Sequence, residues 1–404
     1  MSDVGLALTP PMGFNNRSSL HCRPEDLTGA ERPEFNEVWF KKTTDFIAGN
    51  GLKEAGYRYV NLDACWAEPK RDKNQNLVPN MNRFPSGIKA LADYVHGKGL
   101  KFGIYSSAGK KTCAGDGNFP GALNHEETDA QLFAEWGVDY LTYDACGNDA
   151  GLELTGKDDK ANRTAEAKER STAMRDALLK TGRPIVYSVC ERGTHEPWTW
   201  ATGVSHLWRT TREGSGTWPH IVQNLHLNEK LAGYAGPGRW NDPDVLDVGS
   251  DKLTPTEYRS QFSLWSVSAA PLLIATNLLE ASDETLAILK NQDVIDVDQD
   301  RLGKQGTRVS SAKGLHVYSK ELDGGDRAVV LFNETGQESV IGTTASAVGM
   351  RPGSAYSLRD LWTKETRTIT AESGEISASV PGHGVVMYRV STAHRASRGS
   401  ISNR

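Results

Sequence analysis

The sequence predicts a (β/α)8 TIM barrel followed by a C-terminal antiparallel β-sandwich domain, and three observations carry that prediction. Short apolar, β-prone runs alternate with helical patterns eight times between Pro10 and Leu302, the pattern of parallel strands joined by crossover helices. Several runs end in a carboxylate: the runs ending at Asp63, Asp144, Glu191 and Asp244 all do so, and a parallel barrel builds its active site at the carboxyl ends of its strands. After Leu302 the pattern becomes short alternating segments separated by Gly-rich turns such as Asp323-Gly324-Gly325, which reads as an antiparallel module. The expected division is 1–303 for the barrel, 304–391 for the β-sandwich and 392–404 for a polar, disordered tail.

In order, residues 10–15 form the first strand, entered through prolines, and a polar insert runs over 21–33. Val38, Phe40, Phe46 and Ile47 give residues 35–50 an amphipathic helical face closed by Gly51. The second strand spans 57–62, and a helix over 88–96 ends at Gly97 and Gly99. The third strand spans 100–105, a helix covers 125–136, and the fourth strand ends at Asp144. Residues 147–168 read as a long polar loop, of a length that is usually functional or mobile, before a helix over 167–179. The fifth strand is 184–190, the sixth 205–210, the seventh ends within 238–246, a helix covers 258–269, and the eighth strand is 271–275. In the β module, 316–318, 328–332, 376–380 and 385–388 read as strands.

Composition narrows the function classes. The chain has 404 residues, 38% hydrophobic and 24% charged, enough for a large core. A net charge of −5 gives no support to nucleic-acid binding. The most apolar run, Ala269–Leu279, is interrupted by Pro271, Thr276 and Asn277, so no membrane span is expected. Met1–Leu8 lacks the basic and apolar regions of a signal peptide. None of the five cysteines forms a C-x-x-C pair, and no H-x-H or H-E-x-x-H motif is present, which argues against a bound transition metal.

Carboxylates outnumbering histidines at the strand ends favours glycoside chemistry. A retaining glycosidase needs one carboxylate as nucleophile and a second carboxyl as acid/base about 5–5.5 Å away. It also needs groups that hydrogen-bond sugar hydroxyls and an aromatic surface, here Trp66 and Trp240 at strand ends.

The motifs are long: Thr9-Pro-Pro-Met-Gly13, Tyr59-Val-Asn-Leu-Asp-Ala-Cys-Trp66, the run Phe84–Val95, Gly103-Ile-Tyr105, Tyr143-Asp-Ala-Cys146, Trp208-Arg-Thr-Thr211, and Tyr234–Gly238 leading to Trp240-Asn-Asp-Pro-Asp244. Through them the chain resembles glycoside hydrolase family 27, the family of α-galactosidases and α-N-acetylgalactosaminidases, from Thr9 to about Leu302 and less specifically through the β module. The resemblance implies an exo-acting retaining hydrolase of terminal α-linked hexosides, a carbohydrate substrate, and no cofactor. It places the nucleophile on Asp144. The acid/base falls on Glu213, four residues after the Arg of the Trp-Arg motif, where the family carries Asp. Sugar contacts fall on Asp63, Tyr105, Glu191, Arg209 and Asp244, with Trp66 in the pocket and Asp242 behind Asp244. By the same resemblance Cys22 pairs with Cys65, Cys113 with Cys146, and Cys190 stays free. Such bonds suit an oxidising, secreted setting.

Three departures bear on the sugar. Ala64 replaces an Asp, Thr142 replaces a Lys, and the opening Trp of the ring-stacking region is lost near Arg17. The first two cancel in charge and lead us to expect weaker galactose selectivity than the family norm. The alternatives are a same-family glycosidase for another sugar, of α-glucan or β-L-arabinopyranoside type, and a non-catalytic sugar-binding homologue. A Glu213 carboxyl facing Asp144 argues for catalysis; one facing solvent argues for the binder.

Overall fold

The computed structural model describes residues 5–17, 35–113, 119–146 and 160–393. Two compact units divide the chain, Met1–Gln305 and Gly306–Arg404.

In the first unit β1 (Met12–Asn15) is followed by α1 (Glu37–Gly49), the single turn α2 (Leu52–Ala55) and β2 (Tyr59–Leu62). Asn36 caps α1 by accepting from the Trp39 N–H, and α1 buries Trp39, Phe40 and Ile47. α3 (Gly87–Gly97), β3 (Lys101–Ser107), α4 (Glu126–Trp136) and β4 (Tyr140–Asp144) come next. Then come α5 (Lys160–Lys180), β5 (Val186–Cys190), β6 (Leu207–Arg209), α6 (Trp218–Asn228), β7 (Trp240–Asp242), α7 (Pro255–Val267), β8 (Leu272–Ile274), α8 (Asp283–Leu289) and α9 (Gln292–Asp298).

The eight strands are parallel, in the order β7-β6-β5-β4-β3-β2-β1-β8. Closure comes just after β7. Pro243 offers no N–H and Asp244 takes φ 93, so the strand breaks. The chain then returns at Leu246, whose N–H donates to the Leu273 carbonyl at 2.8 Å and whose carbonyl accepts from the Ala275 N–H at 3.1 Å.

Side chains alternate in and out along each strand, which layers the barrel interior. Tyr59, Tyr140, Val186, Leu207, Trp240 and Leu273 form one apolar cluster. Two residues on along their strands stand Asn61, Thr142, Ser188, Arg209 and Asp242, and beyond them Asp63, Asp144 and Cys190. The floor is thus apolar and the mouth carries the carboxylates, the polarity of a packed barrel with a site at its carboxyl end.

The helix expected from 167 begins at Lys160. Its first turns are polar all round, so no apolar period marks them; Ala-rich sequence and an i,i+4 ion pair between Glu166 and Arg170 support them instead. The remainder of the expected loop, 147–159, lies outside the described residues, as do Cys22 and its expected bond to Cys65, and the whole 21–33 insert. α7 begins three residues before its expected start, because Thr254 and Glu257 form a reciprocal capping box ahead of Pro255.

The second unit has eight strands, β9 (Thr307–Ala312), β10 (Leu315–Glu321), β11 (Arg327–Asn333), β12 (Ser339–Thr344), β13 (Ala355–Asp360), β14 (Thr366–Thr370), β15 (Glu375–Val380) and β16 (Val385–Thr392). A six-stranded antiparallel sheet, β14-β13-β16-β11-β10-β9, faces the two-stranded sheet β12-β15. Val329, Leu331, Leu358 and Val390 from the first share one core with Ile341, Ile376 and Val380 from the second. β16 carries the sheet through Thr392, which pairs with Tyr356, so the first residue of the expected tail is strand; residues 394–404 lie outside the description.

Candidate active site

Asp144 ends β4 and is 3% exposed. Its two carboxylate oxygens accept from Arg192 Nη2 at 2.9 and 3.0 Å. Tyr105 Oη donates to Oδ2 at 2.8 Å, and the Ala145 N–H to Oδ1 at 2.8 Å. Burial pushes the Asp144 carboxyl above its ordinary value, Arg192 pulls against that, and Glu213 adds to it. The Tyr105 phenol, buried beside Asp144, is pushed well up and stays a donor.

Glu213 lies in the loop after β6. Its side chain is 39% exposed, but its carboxylate turns inward: Oε1 sits 3.0 Å from Arg17 Nη1 and 3.8 Å from Arg192 Nε. Arg192 therefore spans the two carboxyls assigned to catalysis, touching Asp144 with one end and facing Glu213 with the other.

The opposite wall is held by cations. Arg17 Nη2 donates to Asp244 Oδ2 at 3.2 Å, while Arg209 Nη1 reaches Asp244 Oδ1 at 2.8 Å and Arg209 Nε lies 3.3 Å from Asp242 Oδ2. Burial alone would raise the Asp244 carboxyl, but Arg17, Arg209 and the N–H groups of Gly214 and Val245 hold it below the usual range. The Gly214 N–H donates to Asp244 Oδ2 at 2.7 Å and so ties the Glu213 loop to β7. Asp244 keeps its left-handed φ because its N–H donates to Asp242 Oδ1 at 2.9 Å and its carbonyl accepts from Trp265 Nε1 at 2.8 Å. Asp242 thus stands behind Asp244, bonding its N–H and Arg209.

Asp63 at the end of β2 accepts from Asn15 Nδ2 at 2.9 Å, and its N–H donates to Asn16 Oδ1 at 2.8 Å. Burial raises its carboxyl against the opposing pull of the Ala64 N–H, Asn15 and Arg17. Glu191, 3% exposed, faces His195 Nδ1 at 3.0 Å. Cys190, a free thiol, is buried beside Asp144 in the β4–β5 register, and burial pushes it well above its ordinary value. Cys113 and Cys146 form a disulfide with Cα atoms 5.0 Å apart, and Arg192 Nη2 lies 2.7 Å from each sulfur.

The structure thus gathers Asp144, Glu213, Asp63, Tyr105, Glu191, Arg209 and Asp244 at one end of the barrel. The two tryptophans are placed differently from expectation. Trp66 is 3% exposed, its ring edge packs on Trp136 at 5.6 Å, and Nε1 donates to the Tyr105 carbonyl at 2.9 Å; it braces Tyr105 rather than presenting a face. Trp240 is fully buried in the apolar floor, with Nε1 bonded to the Ala7 carbonyl. Both sit where the strand is already covered by helix or floor, which strand-end position alone does not reveal.

Sequence reasoning missed Arg192, Asn15 and His195, and read Arg17 only as a lost Trp. Arg192 could have been found as a cation directly following a strand-end carboxylate, Glu191. Arg17 gives no such signal, since its partners Glu213 and Asp244 are some two hundred residues away along the chain.

Comparison with known proteins adds a second line of evidence. The family described as "Alpha galactosidase A" matches residues 9–300, and the one described as "Alpha galactosidase C-terminal beta sandwich domain" matches residues 312–390. An alpha-galactosidase of Cyamopsis tetragonoloba is 42% identical over 388 residues, covering 96% of this chain and 87% of that one. An alpha-N-acetylgalactosaminidase of Gallus gallus is 36% identical over 401 residues, covering 95% and 94%. Among solved structures, alpha-galactosidase I from Mortierella vinacea superposes with a TM-score of 0.87 at 29% identity, covering 97% of this chain and 99% of that one.

Proposed function

This chain belongs to glycoside hydrolase family 27, the α-galactosidase family, and from that premise we propose that it hydrolyses terminal α-galactosides with retention, through a covalent galactosyl-enzyme on Asp144. The chain is a glycosidase. The observation that carries it is the convergence of Asp144 and Glu213 on the single guanidinium of Arg192.

Asp144, ionised and held by Arg192, Tyr105 and the Ala145 N–H, attacks the anomeric carbon. Glu213 donates its proton to the departing glycosidic oxygen, then takes one from the water that breaks the ester. A Glu in place of the family's Asp extends the carboxyl by one methylene, and the salt bridge to Arg17 directs that longer arm inward. The inward carboxyl speaks against a non-catalytic binder. Asp63, Glu191 and Asp244 bind the sugar hydroxyls, each oriented by a partner already in place.

The test separates the two carboxyls. Asp144→Ala should lose turnover on every substrate by at least about a thousandfold. Glu213→Gln should lose about a hundred- to ten-thousandfold on raffinose, whose leaving group needs a proton, and far less on an activated aryl α-galactoside, whose leaving group does not. Equal losses of Glu213→Gln on both substrates would remove it as the acid. Running aryl α-glucoside and aryl β-L-arabinopyranoside alongside measures the relaxed selectivity expected from Ala64 and Thr142; a galactose preference above roughly ten-thousandfold rules relaxation out.

A further inference from the structure

We infer that the cleft outside Asp144 is built for a negatively charged leaving group, so that the preferred substrates are α-galactosides whose aglycone is a carboxylate-bearing sugar. The inference rests on the glycosidase reading above and adds the substrate class.

The cleft has a volume of about 1050 Å³, at the upper end of the roughly 300–1000 Å³ that holds a drug-sized ligand. Four segments line it: Arg163 of α5, the turn after β5 from Arg192 to Trp198, the residues Thr210 to Arg212 after β6, and one face of α6 with the turn that follows, through Leu231. Arg192 lines it, and its guanidinium bonds Asp144. Because Arg192 belongs to both the cleft and the Asp144 site, we place the aglycone of a sugar bound at Asp144 in this space.

The charge of the lining is one-sided. Among the described residues, Arg163, Arg192, Arg212 and Lys230 line it, with His195 and His220, against Glu196 as the one lining carboxylate. This occurs in a chain whose net charge is −5. Arg163 and Glu196 engage other groups, and Arg192 is committed to Asp144, so the weight falls on Arg212 and Lys230. Both are exposed. Arg212 directly precedes Glu213, and the two diverge: Glu213 turns to Arg17 and Arg192, while Arg212 faces the cleft. The backbone around Arg212 is fixed, because Asn224 Nδ2 reaches its carbonyl at 3.4 Å and the Pro243 carbonyl at 3.1 Å.

Trp198, half-buried on the same wall, supplies the flat surface on which a sugar ring packs. A ring against Trp198 with its carboxylate toward Arg212 and Lys230 meets a planar fork and a point charge, the pairing that recognises carboxylates. Neutral aglycones gain the stacking but not the charge.

The experiment compares two substrates that differ only in charge. Melibionate and melibiitol carry the same galactosyl group on the same six-carbon open chain, one ending in a carboxylate and the other in a hydroxymethyl group. At low ionic strength the ratio of kcat/KM for melibionate over melibiitol should be about tenfold and should fall toward one as salt is added. Arg212→Ala with Lys230→Ala should bring it near one, and Arg212→Lys should keep most of it. Since both substrates are run on one preparation, the ratio does not depend on how much of a variant is folded. A wild-type ratio near one, or a ratio that the double variant leaves intact, overturns the inference. If p-nitrophenyl α-galactoside is still cleaved in that case, the glycosidase reading stands; if it is not cleaved, both fall together.

Discussion

At the scale of single residues, Asp144 is held between opposed influences. Burial favours its neutral form and Arg192 its charged form. As the proposed nucleophile Asp144 must be ionised, so activity should be lost as pH falls through its pKa. Replacing Arg192 with Met removes the opposing charge and leaves burial and Glu213 to push the carboxyl further up. The acid limb of kcat/KM for an aryl α-galactoside should then move to higher pH by about one unit. An unmoved limb would show that Arg192 does not hold Asp144. Of this arrangement, Asp144 was legible because a polar strand end inside a long motif is distinctive. Arg192 was not, because nothing local tells a paired cation from a solvated one.

Among elements, the end of β4 is tied to the segment after β3 by a disulfide. The Cys113–Cys146 disulfide joins residues 33 apart and lies against Arg192, so the two cysteines, the cation and Asp144 form one packed group. Closing a loop of that length stabilises the fold by about 3–4 kcal/mol in the chain-entropy view. Protein never exposed to reductant should show fewer free thiols under denaturing conditions than its five cysteines, and mild reduction should lower both the thermal midpoint and the rate. Five free thiols would sink the assignment. The start of α5 shows what escapes an element-level reading. Its first turns are supported by propensity and a side-chain pair rather than an apolar face, and periodicity sees only the latter.

On the scale of the whole molecule, the barrel is apolar at its floor and polar from its middle upward. That middle layer is tight. A Cβ on Gly103 would fall 1.9 Å from Asn61 Oδ1 and 3.1 Å from the Tyr140 Cβ. Asn61 is itself buried, with neither side-chain polar atom hydrogen-bonded among the described residues. Gly103→Ala should therefore cost about 1–3 kcal/mol by overpacking, read as a lower unfolding midpoint. Adding Asn61→Ala should restore part of it, since the clash is with that side chain. A Gly103→Ala variant as stable as the parent would mean that the strands move apart freely there.

The sequence by itself determined the barrel and the β-sandwich, through the switch of period near Leu302, and it determined the strand-end carboxylates, through their place in long motifs. Those features are local: a strand, its polar end and its turn are written in consecutive residues. The tertiary structure alone decided which cations serve which carboxylates. Arg17 reaches Asp244 and Glu213 across the barrel mouth, and Arg192 bridges Asp144 and Glu213. It also decided that Trp66 braces Tyr105 and that Trp240 lies in the floor. The physical reason is that β8 pairs with β1 on one side and with Leu246, just after β7, on the other, so the two ends of the barrel sequence meet. Charges and rings distant in sequence then compete for the same small volume, and the neighbours that settle the contest are absent from any local stretch of chain.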